Sequence, residues 1–457
     1  MKKNHLVLLC ALLISSFVKG QTIAEVIQQM DLDSLQLTLR EFTGEQPTII
    51  NGNEVTIANR IHSNNELAAD YLYQKLDRLD NITVSNQLIN GEAGRRNVIA
   101  TQLGKTNPDN IYIICAHYDS VADYCADDNA SGTATVLEIA RILSTQCLDN
   151  TIVYALWDEE EIGLQGAAYY ANQAAANNDN ILGVLNIDMM GYDGDNDNVF
   201  DIDVRDVANS LAMKDDIISV LNNPAYGFTL QETVVNPGTS ASDHARFWNQ
   251  DYSAVLVGES WETNDETPFY HSSNDRYSTL NFPYYHELSK LIMGYMVTKA
   301  GLINIDNTVS QNANTLTANQ NGTSYQWVNY DTNTNIAGAT NQSYTPIING
   351  NYIVEISSGA CVEKSAPITV TSLGIETFMD SDILLYPNPV KTNLMVEIPA
   401  ISDAVVLELY DITGKKILDK TSSGTKTVLD VSALSSGVYF LKIRTNNKYK
   451  ISKIVKD

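Results

Sequence analysis

The sequence predicts an α/β fold, a sheet of buried strands covered by helices on both faces, followed by two small all-β units. Three observations carry this. Between about residues 24 and 300, amphipathic helical stretches alternate with short β-branched runs. After Asn304 the helical period disappears, and Asn, Thr, Ser and Gly dominate among scattered aromatics. From residue 373 a second β-rich stretch follows in which 11 basic and 10 acidic residues nearly cancel, although the whole chain carries a net charge of −26.

The 457 residues open with Lys2 and Lys3, an apolar run over 6–14, and Gly20 before Gln21. This is the order of a secretory signal peptide, so residues 1–20 are expected to leave on export. Helical spacing follows in Leu67, Tyr71, Leu72, Leu76 and Leu79, and again in Val136, Ile139, Ala140 and Leu143. Runs over 111–115, 151–156 and 181–187 are apolar on both faces, as buried central strands are. Short strands over 324–329 and 351–356 with polar turns predict a small β-sandwich, with Trp327 and Tyr352 as core candidates. Further strands are expected over 384–386, 394–398, 405–410 and 438–443. The expected division is 1–20, 21–303, 304–372 and 373–457. No later stretch reaches the roughly 18 uninterrupted apolar residues of a membrane helix.

The acid excess lies before residue 373 and would repel phosphate backbones and anionic lipid, so nucleic-acid binding is excluded as the main task. Of five cysteines, Cys10 departs with the leader. The other four are too few for a disulfide scaffold, and Cys125 with Cys147 is the expected bridge.

Chemistry concentrates where strands end. His117 closes a buried strand, with Asp119 two residues on to orient its ring; alone, such a histidine is more often structural than ligating. Asp128 stands in Asp127-Asp128-Asn129-Ala130-Ser131-Gly132, which reads either as a helix cap or as a carboxylate bridging two cations. The run Asp158-Glu159-Glu160-Glu161, followed by Gly163 and Gly166, would be a solvated face elsewhere. At the carboxyl end of a central strand it is a site candidate. Asp188 ends the strand over 181–187, and His271 follows later, with Asp275 as its expected partner. N and O donors without thiolates favour zinc or another borderline divalent ion. The alternate acids Asp193, Asp195 and Asp197, continuing to Asp201 and Asp203, read as a solvated turn or a calcium (Ca2+) loop. Val204 at loop position twelve does not support an EF-hand.

These motifs, over about 60–300, resemble the two-zinc exopeptidases that include bacterial leucyl aminopeptidase and glutamate carboxypeptidase. The resemblance implies a three-layer αβα sandwich with a mixed central sheet and two Zn2+ per chain. It implies His117, Asp128, Glu161, Asp188 and His271 as ligands, Asp128 bridging, and Glu160 as catalytic base beside Asp119. Ser242-Asp243-His244 also looks like a family motif, with His244 outside the ligand set. The chain departs from the most similar aminopeptidases in carrying Pro237, Thr239 and Ala241 where they have a Tyr between two Cys.

The activity implied is removal of the first residue from peptides, with a pocket of Met189, Leu256, Trp261 and Tyr270 that suits an apolar one. A carboxypeptidase of the same family and a non-catalytic surface adhesin are the alternatives. A carboxypeptidase should gather Arg or Lys, and Arg246 and Arg276 are the two near the motifs. Glutaminyl cyclases share the fold but use one zinc.

Over about 380–457, Tyr386-Pro387-Asn388-Pro389, Leu409-Tyr410-Asp411-Ile412-Thr413-Gly414-Lys415 and Ser436-Gly437-Val438-Tyr439 with a Lys-rich end resemble a type IX secretion sorting domain. That resemblance implies type IX machinery as a partner, passage through the periplasm, and release or surface anchoring. Residues 305–372 look like an immunoglobulin-like spacer.

Overall fold

The computed structural model describes residues 21–457 apart from 62–63, 262, 264, 360, 372–375, 379–381, 400–403 and 446–447. The expected signal peptide and the 372/373 boundary lie outside the described residues.

Eight strands form one mixed sheet. From edge to edge they are Thr83–Leu88, Arg96–Gln102, Asn150–Trp157, Asn107–His117, Ile181–Ile187, Ala254–Glu259, Val199–Asp203 and Gln231–Val235. The four strands from Asn150–Trp157 to Ala254–Glu259 run parallel, while both flanks join them antiparallel. These four are apolar on both faces because both are covered. Along the His117 strand, Ile114 and Ala116 enter the larger core with helices Leu32–Phe42, Glu66–Asp77, Gly132–Leu143 and Phe282–Ala300. Ile113 and Cys115 face the smaller core under Gln165–Asn177 and His244–Trp248. The layers are therefore helix, mixed sheet and helix, as expected.

Two all-β assemblies follow, each with its own core. Trp327, Tyr352, Val354 and Ile356 centre the first. Leu394, Leu407, Leu409, Leu441 and Ile443 centre the second, between a five-stranded and a three-stranded sheet.

The expected Cys125–Cys147 bridge is not formed. Cys147 pairs with Cys361, with Cα atoms 6.0 Å apart, and Cys125 is buried and free. The helix Gly132–Leu143 explains this: its 12 residues rise about 18 Å and carry Cys147 away from the loop that holds Cys125. Ile303 donates its N–H to the Cys147 carbonyl (2.8 Å), so the bridge sits where the first β-assembly meets the α/β unit. Among the described residues, no helix is long and apolar enough to cross a membrane.

Candidate metal centre

Because four neighbouring strands run parallel, their carboxyl ends share one edge of the sheet, where α/β sheets present their sites. His117 closes one strand, Asp158 to Glu161 follow the next, and Asp188 and Glu259 end the other two. The side chains converge into two groups. His117 Nε2 lies 3.3 Å from Asp188 Oδ1 and 3.2 Å from Asp128 Oδ1. His271 Nε2 lies 3.1 Å from Glu161 Oε2 and 3.3 Å from Asp128 Oδ2. One Asp128 carboxylate thus turns a separate oxygen toward each group. Of the two sequence alternatives for this segment, the capping part falls to Asn129, whose Oδ1 accepts the Gly132 N–H.

The surroundings hold this arrangement from the backbone. Asp119 accepts the N–H groups of Glu160 (3.0 Å) and Glu161 (3.2 Å), tying their turn to the His117 strand. It lies 3.5 Å from His117 Nδ1, beyond a good hydrogen bond, so anchoring that turn is its main contact. Glu159 faces away from the centre, paired with Arg95. Asp158 accepts from Asn65 and the Arg96 N–H. Asp275, expected beside His271, instead accepts the N–H groups of Asp127 and Asp128. It thereby orients the segment that delivers the shared carboxylate. His271 has φ 53° and stacks on Tyr270.

Arg60, which the sequence reading passed over, is fully buried behind these loops. It donates to the carbonyls of Tyr118, Phe42, Tyr124 and Cys125 and lies over the Phe42 ring. Its charge faces Asp275, Asp128 and Asp119. Replacing it with Met leaves several buried carbonyls unpaired. We expect Arg60→Met to destabilise the α/β unit by about 3 kcal/mol or more, read as a shift in the urea midpoint; an unchanged midpoint would show that the clamp is dispensable.

Electrostatics test whether the donors suit a cation. Burial pushes the Glu160 carboxyl up to about 10, reinforced by Asp243 and Asp188. Burial and Asp128 push Glu161 to about 8. For His117, burial opposes protonation but Asp188 and Glu160 outweigh it, so its pKa is raised. The Asp128 contact raises that of His271. Protein groups thus leave an excess of negative charge, which a divalent ion relieves. Among the described residues Asp128 Oδ2, Glu161 Oε1 and Asp188 Oδ1 are buried without hydrogen-bond partners. Such orphaned donor atoms on hard and borderline ligands fit zinc.

Met189, Leu256, Trp261 and Tyr270 line a single cavity of about 130 Å³ that Asp188 joins to the centre. The cavity also contains Asp201, Asp203, Thr239 and Glu259. Asp201 and Asp203 are not part of a solvated turn. They belong to the buried strand Val199–Asp203 and are 2% and 3% exposed. The signal was the period-two alternation of Val199-Phe200-Asp201-Ile202-Asp203. Asp193, Asp195 and Asp197 do form a loop, with oxygens within 4.8 Å of one another. His244 packs against Trp248 with Nε2 on the Thr239 carbonyl (3.1 Å), and burial holds its pKa down near 3.

Residues 97–296 match the family described as Peptidase family M28, and residues 384–457 match the Secretion system C-terminal sorting domain. Leupeptin-inactivating enzyme 1 of Streptomyces exfoliatus is 30% identical over 244 residues, 49% of this chain and 53% of that protein. A probable zinc metalloprotease of Leptosphaeria maculans is 41% identical over 104 residues, 21% of this chain and 24% of that one. The chain thus spans about half or less of these relatives. Among solved structures, the Legionella pneumophila LapA aminopeptidase is similar in fold, with TM-score 0.52 and 18% identity over 61% of this chain and 74% of that one.

Proposed function

With residues 97–296 matching peptidase family M28 and residues 384–457 the secretion-system sorting domains, we propose that the chain is an exported two-zinc aminopeptidase. The observation that carries this reading is the Asp128 carboxylate, one oxygen toward His117 and Asp188 and the other toward His271 and Glu161. His117 and Asp188 would hold one ion, Glu161 and His271 the second, and Asp128 both. Zinc bound there supplies Lewis acidity toward the scissile carbonyl and makes water acidic enough to react near neutral pH.

Glu160 follows Glu159, whose φ is 58°, and its N–H is fixed on Asp119, so its carboxylate is set beside His117 and Glu161 without an ion-pair partner of its own. It takes a proton from the attacking water and returns it to the departing amine. Asp119 keeps the base and its neighbour in register. An acid-rich edge favours an ammonium terminus over a carboxylate terminus. Arg246 donates to the Gly163 carbonyl and Arg276 is held by Glu45, and neither lines the cavity. This favours the aminopeptidase over the carboxypeptidase, and a complete donor set disfavours the adhesin. Met189, Leu256, Trp261 and Tyr270 supply the apolar wall expected from the sequence, but Asp201 and Asp203 share the same cavity. A peptide library blocked at either end tests the reading: cleavage is expected wherever the first amine is free and should stop when it is acetylated.

The proposed division is a leader over 1–20, the catalytic unit over 21–303, a spacer over 304–372 and the sorting segment over 373–457, with the route passing through the periplasm. Separate cores support independent folding of the last segment. Deleting 380–457 should leave an active peptidase retained in the periplasm of the native host. Normal export of the truncated chain would sink the sorting assignment, and loss of activity would place the tail in the catalytic unit.

A further inference from the structure

We propose that the cavity beside the metal centre selects a first residue with a long basic side chain, lysine or arginine, with Asp201 and Asp203 recognising its charge. The inference rests on the aminopeptidase reading and specifies its substrate. On the strand Val199–Asp203, Phe200 and Ile202 enter the large core, so Asp201 and Asp203 project from the opposite face. They pair in register with Gly258 and Leu256. Gly258 approaches the Asp188 carbonyl so closely that a Cβ would lie 2.3 Å from it. The close fit requires glycine, and Gly258 lines the same cavity as Asp188 and the two carboxylates.

The lining is mixed. Met189, Leu256 and Trp261 give apolar wall, and the two aspartates add charge. Asp203 accepts the Thr239 N–H (2.7 Å), and Asp201 accepts the Thr263 hydroxyl (2.6 Å). Among the described lining residues none is Lys, Arg or His. A wholly apolar side chain would bring hydrocarbon against buried carboxylates, which is costly. Lysine and arginine lay their methylenes on apolar walls and carry a cation at the tip, which matches a cavity that holds both apolar wall and carboxylates.

The test uses the intact enzyme on paired aminoacyl substrates of nearly equal shape, lysine against norleucine and arginine against citrulline. The expected result is a kcat/KM at least about tenfold higher for the charged member of each pair, the scale of a charge-assisted contact. In Asp201→Asn and Asp203→Asn that ratio should fall toward unity. If wild-type enzyme cleaves norleucine as well as lysine, or if both variants keep the ratio, the inference is overturned while the aminopeptidase reading stands. Failure to cleave any substrate with a free amine would overturn both. The wild-type ratio decides the matter even if a variant fails to fold.

Discussion

Glu160→Gln should retain two zinc ions and the native fold while losing about 100 to 10,000-fold in kcat. Glutamine matches glutamate in shape, and the Glu160 N–H would still be held by Asp119, so the substitution removes proton transfer and little else. Neither contact of His117 Nε2 nor that of His271 Nε2 involves Glu160. Glu161→Ala should behave oppositely, since Glu161 Oε2 is 3.1 Å from His271 Nε2: zinc is lost first and activity with it. Zinc content by plasma mass spectrometry, measured beside steady-state rates, separates the two. Near wild-type turnover in the glutamine variant would end the assignment of the base, and zinc lost from Glu160→Gln but kept in Glu161→Ala would mean that the adjacent glutamates have exchanged roles.

Asp128→Ala should have the broadest consequence for metal content, because it removes a donor oxygen from each half of the centre at once. Two zinc ions per chain are expected to fall to one or none, with activity lost in step. His117, Asp188, Glu161 and His271 would then confront one another without the carboxylate that faces both pairs, and two bound cations would lose the anion between them. Asp188→Ala touches one half alone and should leave the other ion bound more firmly than Asp128→Ala does. Full zinc occupancy in Asp128→Ala would refute a bridging role.

Part of the site was legible in strongly patterned strands: an apolar run that stops at His117, at Asp158 or at Asp188 announces both burial and position, whereas Asp128 and His271 follow no such strand and were named by the family resemblance. What the sequence hid was which atoms meet across long separations. Asp275 sits four residues from His271 yet serves the backbone of Asp127 and Asp128, about 150 positions away. Arg60 lies far from every motif and becomes important only when the end of the helix Leu32–Phe42 and the stretch over 118–125 close on it. Glu159, one of four consecutive acids, is set apart from its neighbours by an Arg95 that no local pattern linked to it. The strand Val199–Asp203 was masked by its own composition: acids suggested a loop, although alternate positions were apolar.

The Cys147–Cys361 bond makes the chain between those residues a closed ring of covalent bonds, with a sequence separation of 214. A single proteolytic cut anywhere within that ring opens the ring but detaches nothing. The catalytic strands after Cys147 and the β-assembly up to Cys361 would stay on one molecule until a reductant acts. Beyond Cys361 no such second connection exists among the described residues, so one cut there separates the C-terminal segment outright. The bond therefore assigns different fates to equal events. A nicked sample should run at full length on a non-reducing gel and as fragments after thiol treatment, whereas a tail-processed sample should run short under both conditions.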